Sequence, residues 1–142
     1  MNTEIQKQFT SFEIAVRLKT LGFNEPCFGF FTGNNEEIDL STDSLFTNKT
    51  LSRILKIRGE EERFQVASPI WQQCIDYIRL THNIDVVFVP PVAWQVQTYD
   101  KNMTVYNFNL PEAKTIQEDE IEYHKSKEQA ILKAIELIEK TK

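Results

Sequence analysis

Between Ile84 and Phe108 the sequence reads as three strands in immediate succession, with no room for a helix between them. Ile84 to Val89 is apolar at nearly every position and is closed by Pro90-Pro91. Ala93 to Tyr99 and Met103 to Phe108 alternate in character on either side of Asp100-Lys101-Asn102. Parallel neighbours need a crossover of roughly a dozen residues or more, whereas antiparallel neighbours need only a turn. This stretch therefore dictates an antiparallel sheet, and the rest of the chain has to cover it.

The covering elements announce themselves through their ends. Thr10-Ser11-Phe12-Glu13 has the form of a capping box, and the apolar row behind it predicts a helix over about Ser11 to Leu21, stopped by Gly22 with Phe23 folded back. Cys27 to Thr32 and Glu36 to Leu40, around Gly33-Asn34-Asn35, read as a hairpin. From Ser41 to Gln65 the period is ambiguous. Leu51, Ile54 and Leu55 fit a short helix ending at Gly59, whereas Leu51, Arg53, Leu55 and Ile57 fit a strand, and we read it as strand. Ser68 and Pro69 form a helix start as cap and first position, placing Ile70, Trp71, Cys74, Ile75 and Ile78 on one buried face with Trp71 in the core. Ser126 to Gln129 is another capping box, followed by the stripe Ala130, Ile131, Ala134, Ile135 and Ile138. The expected fold is α+β: a mainly antiparallel sheet of about five or six strands with three helices packed on it as a single layer pair. Nothing in the 142 residues resembles a linker, so one domain over 1–142 is expected.

Composition excludes several chemistries. The four glycines, Gly22, Gly29, Gly33 and Gly59, are too far apart to form a phosphate-cradling loop, and two histidines with two cysteines do not make a zinc cluster. No cofactor is expected. A net charge of −5 opposes nonspecific attraction to nucleic acid or to an anionic membrane. The N-terminal residues lack an apolar signal region and the longest apolar run, Val86 to Val89, is far too short to span a bilayer, so a soluble cytoplasmic protein with no membrane partner is expected. Cys27 and Cys74 have apolar neighbours and read as reduced, buried thiols.

A hydrolytic constellation would need His82 or His124 as base. His82 falls at the end of its helix, where the dipole favours a positive imidazole, and His124 lies in a charged run before the last helix, so neither reads as catalytic. Glu118 to Glu122 reads as a solvated acidic approach to that helix, without metal-ligand spacing. The second hairpin is more informative. Trp94, Val96 and Thr98 should face one way and Gln95, Gln97 and Tyr99 the other, with Tyr106 and Phe108 added by the return strand. Aromatic and amide side chains on a sheet can stack on and hydrogen-bond a base or a peptide, so Trp94, Gln95, Gln97, Tyr99 and Tyr106 are the candidate binding residues. The alternative is that the aromatic residues are core and ordinary cross-strand partners. Phosphate contacts would have to come from Lys49, Arg53, Lys56 and Arg58.

Leu21-Gly22-Phe23 with Cys27 beyond, Ala67 to Gln73 opening a helix, and the alanine-bearing C-terminal helix together resemble a loose set of small uncharacterised proteins of phages and prophages, especially those of gut Bacteroidetes. The resemblance implies a mobile-element origin and the bacterial host cytoplasm, and brings no established activity with it. With the ordinary marks of catalysis missing, the expected function is a small non-enzymatic protein acting by protein–protein contact, as a host-system modulator or assembly component. It could also associate with itself. The alternatives are a nucleotide or single-stranded nucleic-acid binding module using the aromatic sheet face, and a small-nucleotide hydrolase.

Overall fold

The computed structural model describes residues 7–33, 38–40, 45–60, 64–90, 93–99, 103–111 and 115–141. Parts of the two predicted turns, Asn34-Asn35 and Asp100-Lys101-Asn102, lie outside the described residues. The fold is α+β, and the contacts divide it into two compact units, 1–74 and 75–142.

The first helix described in the first unit is α1 (Phe12–Thr20). Ser11, one residue later than the sequence pattern suggested, caps it by accepting the Ile14 N–H at 3.4 Å. Thr10 is drawn inward instead: Ser68 Oγ donates to the Thr10 carbonyl at 2.9 Å, and the two hydroxyls lie 3.0 Å apart in a buried pair. Gly22, at φ +97°, takes the left-handed position that stops the helix. Strand β1 (Gly29–Thr32) lies between β2 (Asp39–Leu40) and β3 (Gln65–Ser68), antiparallel to both, with Phe30 opposite Asp39 on one side and Ala67 on the other. Ala15, Phe31, Ile38 and Val66 close a core onto which Phe9, Phe12 and Val16 pack.

The ambiguous segment is a helix, α2 (Asn48–Ile57), which corrects the strand reading. Two local signals outweigh the alternation. Thr47 caps the helix by accepting the Thr50 N–H at 3.0 Å, and Gly59 at φ +69° follows its end. Leu51 and Leu55, four residues apart, become the buried stripe, while Arg53 and Ile57 are exposed.

Helix α3 (Trp71–His82) starts later than Ser68-Pro69 suggested, because Ser68 is the last residue of β3, paired with Gly29, and Ile70 bridges to Phe9. Its buried residues are Cys74, Ile75, Tyr77 and Ile78. Ile70 is 43% exposed and Trp71 only half-buried, which corrects the core assignment of Trp71; its indole Nε1 donates to the Lys7 carbonyl at 2.7 Å. Asn83 at φ 57° ends the helix in the left-handed conformation that asparagine tolerates.

The second unit contains β4 (Ile84–Val89), β5 (Ala93–Thr98) and β6 (Val105–Asn109), an antiparallel meander in that order, with Val86 opposite Val96 and Val96 opposite Tyr106. Helix α4 (Ile116–Lys140) packs on all three strands. It begins ten residues before Ser126, because Thr115 caps it by accepting the Glu118 N–H at 3.0 Å. The acidic run thus lies inside the helix, with Glu118 and Asp119 in its first turn at the positive end of the dipole, and Ser126 is a buried interior position. The expectation of one sheet with three helices is corrected: the described residues form two three-stranded antiparallel sheets and four helices. β1 and β2 pair antiparallel as the hairpin reading expected, but the long interval between β1 and β3 carries no local pairing signal, so the sequence did not show that β3 would complete this sheet.

Candidate functional site

Every strand of the meander alternates between a helix-covered face and an open one. On the covered face Trp94 is 5% exposed, its ring 5.4 Å from Phe88 and 5.3 Å from Tyr123 of α4, with Phe88 and Tyr123 themselves 4.9 Å apart. Lys127, almost buried, holds its ammonium 5.5 Å from the Tyr123 ring, and burial pushes its pKa down and that of the Tyr123 phenol up. Tyr106 is on this face too, opposite Val96, with the Lys133 ammonium 4.8 Å from its ring centre.

The open face carries Asp85, Val87 and Val89 from β4, Gln95 and Gln97 from β5 with Tyr99 just beyond, and Val105, Asn107 and Asn109 from β6. Its amides form a chain. Gln97 Nε2 donates to Gln95 Oε1 at 3.0 Å, and Gln95 Nε2 donates to Asn107 Oδ1 at 2.8 Å. Tyr99 donates its phenolic hydrogen to Asp85, and that bond pushes its pKa above the ordinary value. Val87, Val89 and Val105 leave their methyls to solvent around these amides.

The five residues singled out from the sequence are thereby divided. Gln95, Gln97 and Tyr99 share the open face; Trp94 and Tyr106 are turned to the helix and supply packing. Sequence reasoning missed Asn107 and Val87, although Asn107 could have been found once β5 and β6 were in register, since it sits directly across from Gln95. The basic residues Lys49, Arg53, Lys56 and Arg58 are exposed on or just after α2 in the first unit.

In the first unit, Cys27 and Cys74 are free, buried thiols. Burial, then the nearby Glu25 charge, push Cys27 up to about 12 against a weaker opposing hydrogen bond from its thiol to Gln73. Cys74 is raised as well, by burial first and then by Cys27 and Glu25. Such thiols are neutral and inert. His82 Nε2 lies 3.4 Å from the Tyr77 hydroxyl at the end of α3, and the His124 ring packs 5.4 Å from Tyr123 inside α4. Among the described residues no group of three or more His, Cys, Asp and Glu is placed to hold a metal ion, and no helix is long and apolar enough to cross a membrane.

The class this defines is α+β with two small antiparallel sheets, the second presenting an amide-rich face opposite its helix. Protein-family models, curated proteins and solved structures give no match to the chain.

Proposed function

We propose that the chain is a small non-enzymatic binding protein that works by protein–protein contact through the open face of the β4-β5-β6 sheet. The observation that carries this reading is the amide chain Gln97, Gln95, Asn107 held between exposed valines. Ordered side-chain amides lose little freedom on binding and can hydrogen-bond a partner, while Val87, Val89 and Val105 add apolar contact. A host-system modulator or assembly component encoded by a phage or mobile element, acting in the bacterial cytoplasm, fits that role. The nucleic-acid alternative draws less support, because stacking needs exposed rings and Trp94 and Tyr106 face α4, leaving Tyr99.

A photoreactive residue at Gln97 on the open face, compared with one at Glu13 on α1, tests the reading in bacterial lysate. A partner captured specifically at Gln97, and lost on Val87→Asp, supports it. Equal capture from both positions, or none, sinks it.

A further inference from the structure

The β6 edge has a property beyond this reading. The Thr98 N–H donates to the Thr104 carbonyl at 3.0 Å, which fixes the parity of the β5–β6 ladder: Val96–Tyr106 and Trp94–Phe108 are the hydrogen-bonded pairs. The backbone N–H and C=O groups of Val105, Asn107 and Asn109 therefore point away from β5, and β6 is a terminal strand of its sheet. Exposed strand edges are ordinarily blunted by charge, proline or a bulge, and Val105-Tyr106-Asn107-Phe108-Asn109 has none of these, while all six residues from Val105 to Leu110 are uncharged.

We propose that β6 pairs antiparallel with β6 of a second copy of this chain, about a two-fold axis at Asn107. One observation, the amide chain that ends at Asn107, and two consequences of the strand's parity favour a second copy over another occupant. With the axis at Asn107, the outward residues of one copy meet the outward residues of the other: Asn107 exchanges both backbone hydrogen bonds with the partner's Asn107, and Val105 does so with the partner's Asn109 in both directions. The amide chain on the open face ends at Asn107, whose Oδ1 accepts from Gln95. Its Nδ2 can donate to the partner's Asn107 Oδ1, so the chain runs unbroken across the axis. On the covered face the same register sets Tyr106 beside the partner's Phe108, an aromatic cross-strand pair. Charge permits the approach although the whole chain carries −5, because the strand itself is neutral. On the covered face the charges beside the strand are mixed: the Lys133 ammonium lies 4.8 Å from the Tyr106 ring, and Glu136 accepts both Lys133 and Lys140, the latter at 2.8 Å.

Sedimentation equilibrium over a concentration series, paired with amide hydrogen exchange, decides the matter. The expected result is a reversible step to twice 16.6 kDa, with the Val105, Asn107 and Asn109 amides becoming protected as concentration rises. Tyr106 and Phe108, bonded to β5, are protected throughout. Asn107→Lys, which sets two ammonium groups face to face, should return the mass to that of one chain with the circular dichroism unchanged; should that variant not fold, the exchange pattern of the natural chain decides. A monomer at every concentration, outward amides that exchange equally fast throughout, a mass that grows past two copies, or a folded Asn107→Lys dimer overturns the proposal. None of these outcomes bears on capture at Gln97, so the open-face reading and the edge pairing fail separately.

Discussion

The Asn48 side chain accepts the backbone N–H of Ala67 on Oδ1 at 2.8 Å, joining the first residue of α2 to β3. Its Nδ2 donates to the Phe23 carbonyl, also at 2.8 Å, and the side chain is 6% exposed. One amide thus satisfies two backbone groups from segments far apart in sequence. Asn48→Leu removes both bonds and strands a buried N–H and a carbonyl, at a cost of about 2 to 4 kcal/mol. Urea unfolding should show a lower midpoint at unchanged slope.

Gly29 sits in β1 where a Cβ would meet Ile38 Cδ1 at 2.5 Å and the Phe9 ring at 2.8 Å. The requirement is steric, set by side chains packed against the strand. Gly29→Ala should cost about 1 to 3 kcal/mol by overpacking. Pairing it with Phe9→Leu should restore part of the loss, which a double-mutant cycle in thermal unfolding would measure.

Both cysteines are held neutral by burial, so native protein at mildly alkaline pH should resist iodoacetamide and become reactive only on unfolding. The raised thiol pKa values contribute stability that is fully present below the unfolded value near 9.0 and is lost as the pH climbs from there towards about 12. Thermal unfolding across that alkaline window should show the decline. Cys27→Ser should flatten part of it, and dithiothreitol should leave the transition where it is, because the thiols are free.

The indole Nε1 of Trp94 is buried and finds no acceptor among the described residues. An unmet donor offsets part of what its ring gains by burial, so replacing it with a ring that has no N–H removes a cost along with some area. Trp94→Phe should fall within about 1.5 kcal/mol of the natural chain, while Trp94→Ala, which opens a cavity beside Phe88 and Tyr123, should cost about 3 to 5 kcal/mol. Chemical denaturation of the two variants checks the contrast. Equal losses would mean that the indole nitrogen is not the weak point of that cluster.

The meander was legible because everything that specifies it is local. The apolar run Ile84 to Val89, the alternation on either side of the 100–102 turn and the short connections gave the strands, their antiparallel sense and the outward aim of Gln95, Gln97 and Tyr99. The side taken by Tyr106 was not legible, since it depends on the residue count through the 100–102 turn, where a change of one reverses every side chain. Helix starts were misjudged where a capping residue had a stronger tertiary use. Thr10 and Ser68 both read as caps, yet each spends its hydroxyl on the other, a choice that sequence spacing does not encode. Ser126 carries the pattern of a cap but lies within a helix already begun at Thr115, because a capping box and an interior Ser-x-x-Gln look alike. At α2 two periods fitted the same leucines, and the Thr47 cap should have decided between them.

The Thr10–Ser68 contact spans 58 residues, and β1 pairs with β3 across an interval that holds a whole helix. The second sheet is assembled from neighbours in sequence, each strand turning directly into the next. Loop closure makes distant partners slow to find, whereas a meander can zip from its turns. The two sheets of this one chain therefore carry different clocks: β4-β5-β6 can zip from its own turns, whereas β3 must find β1 across the interval that holds α2.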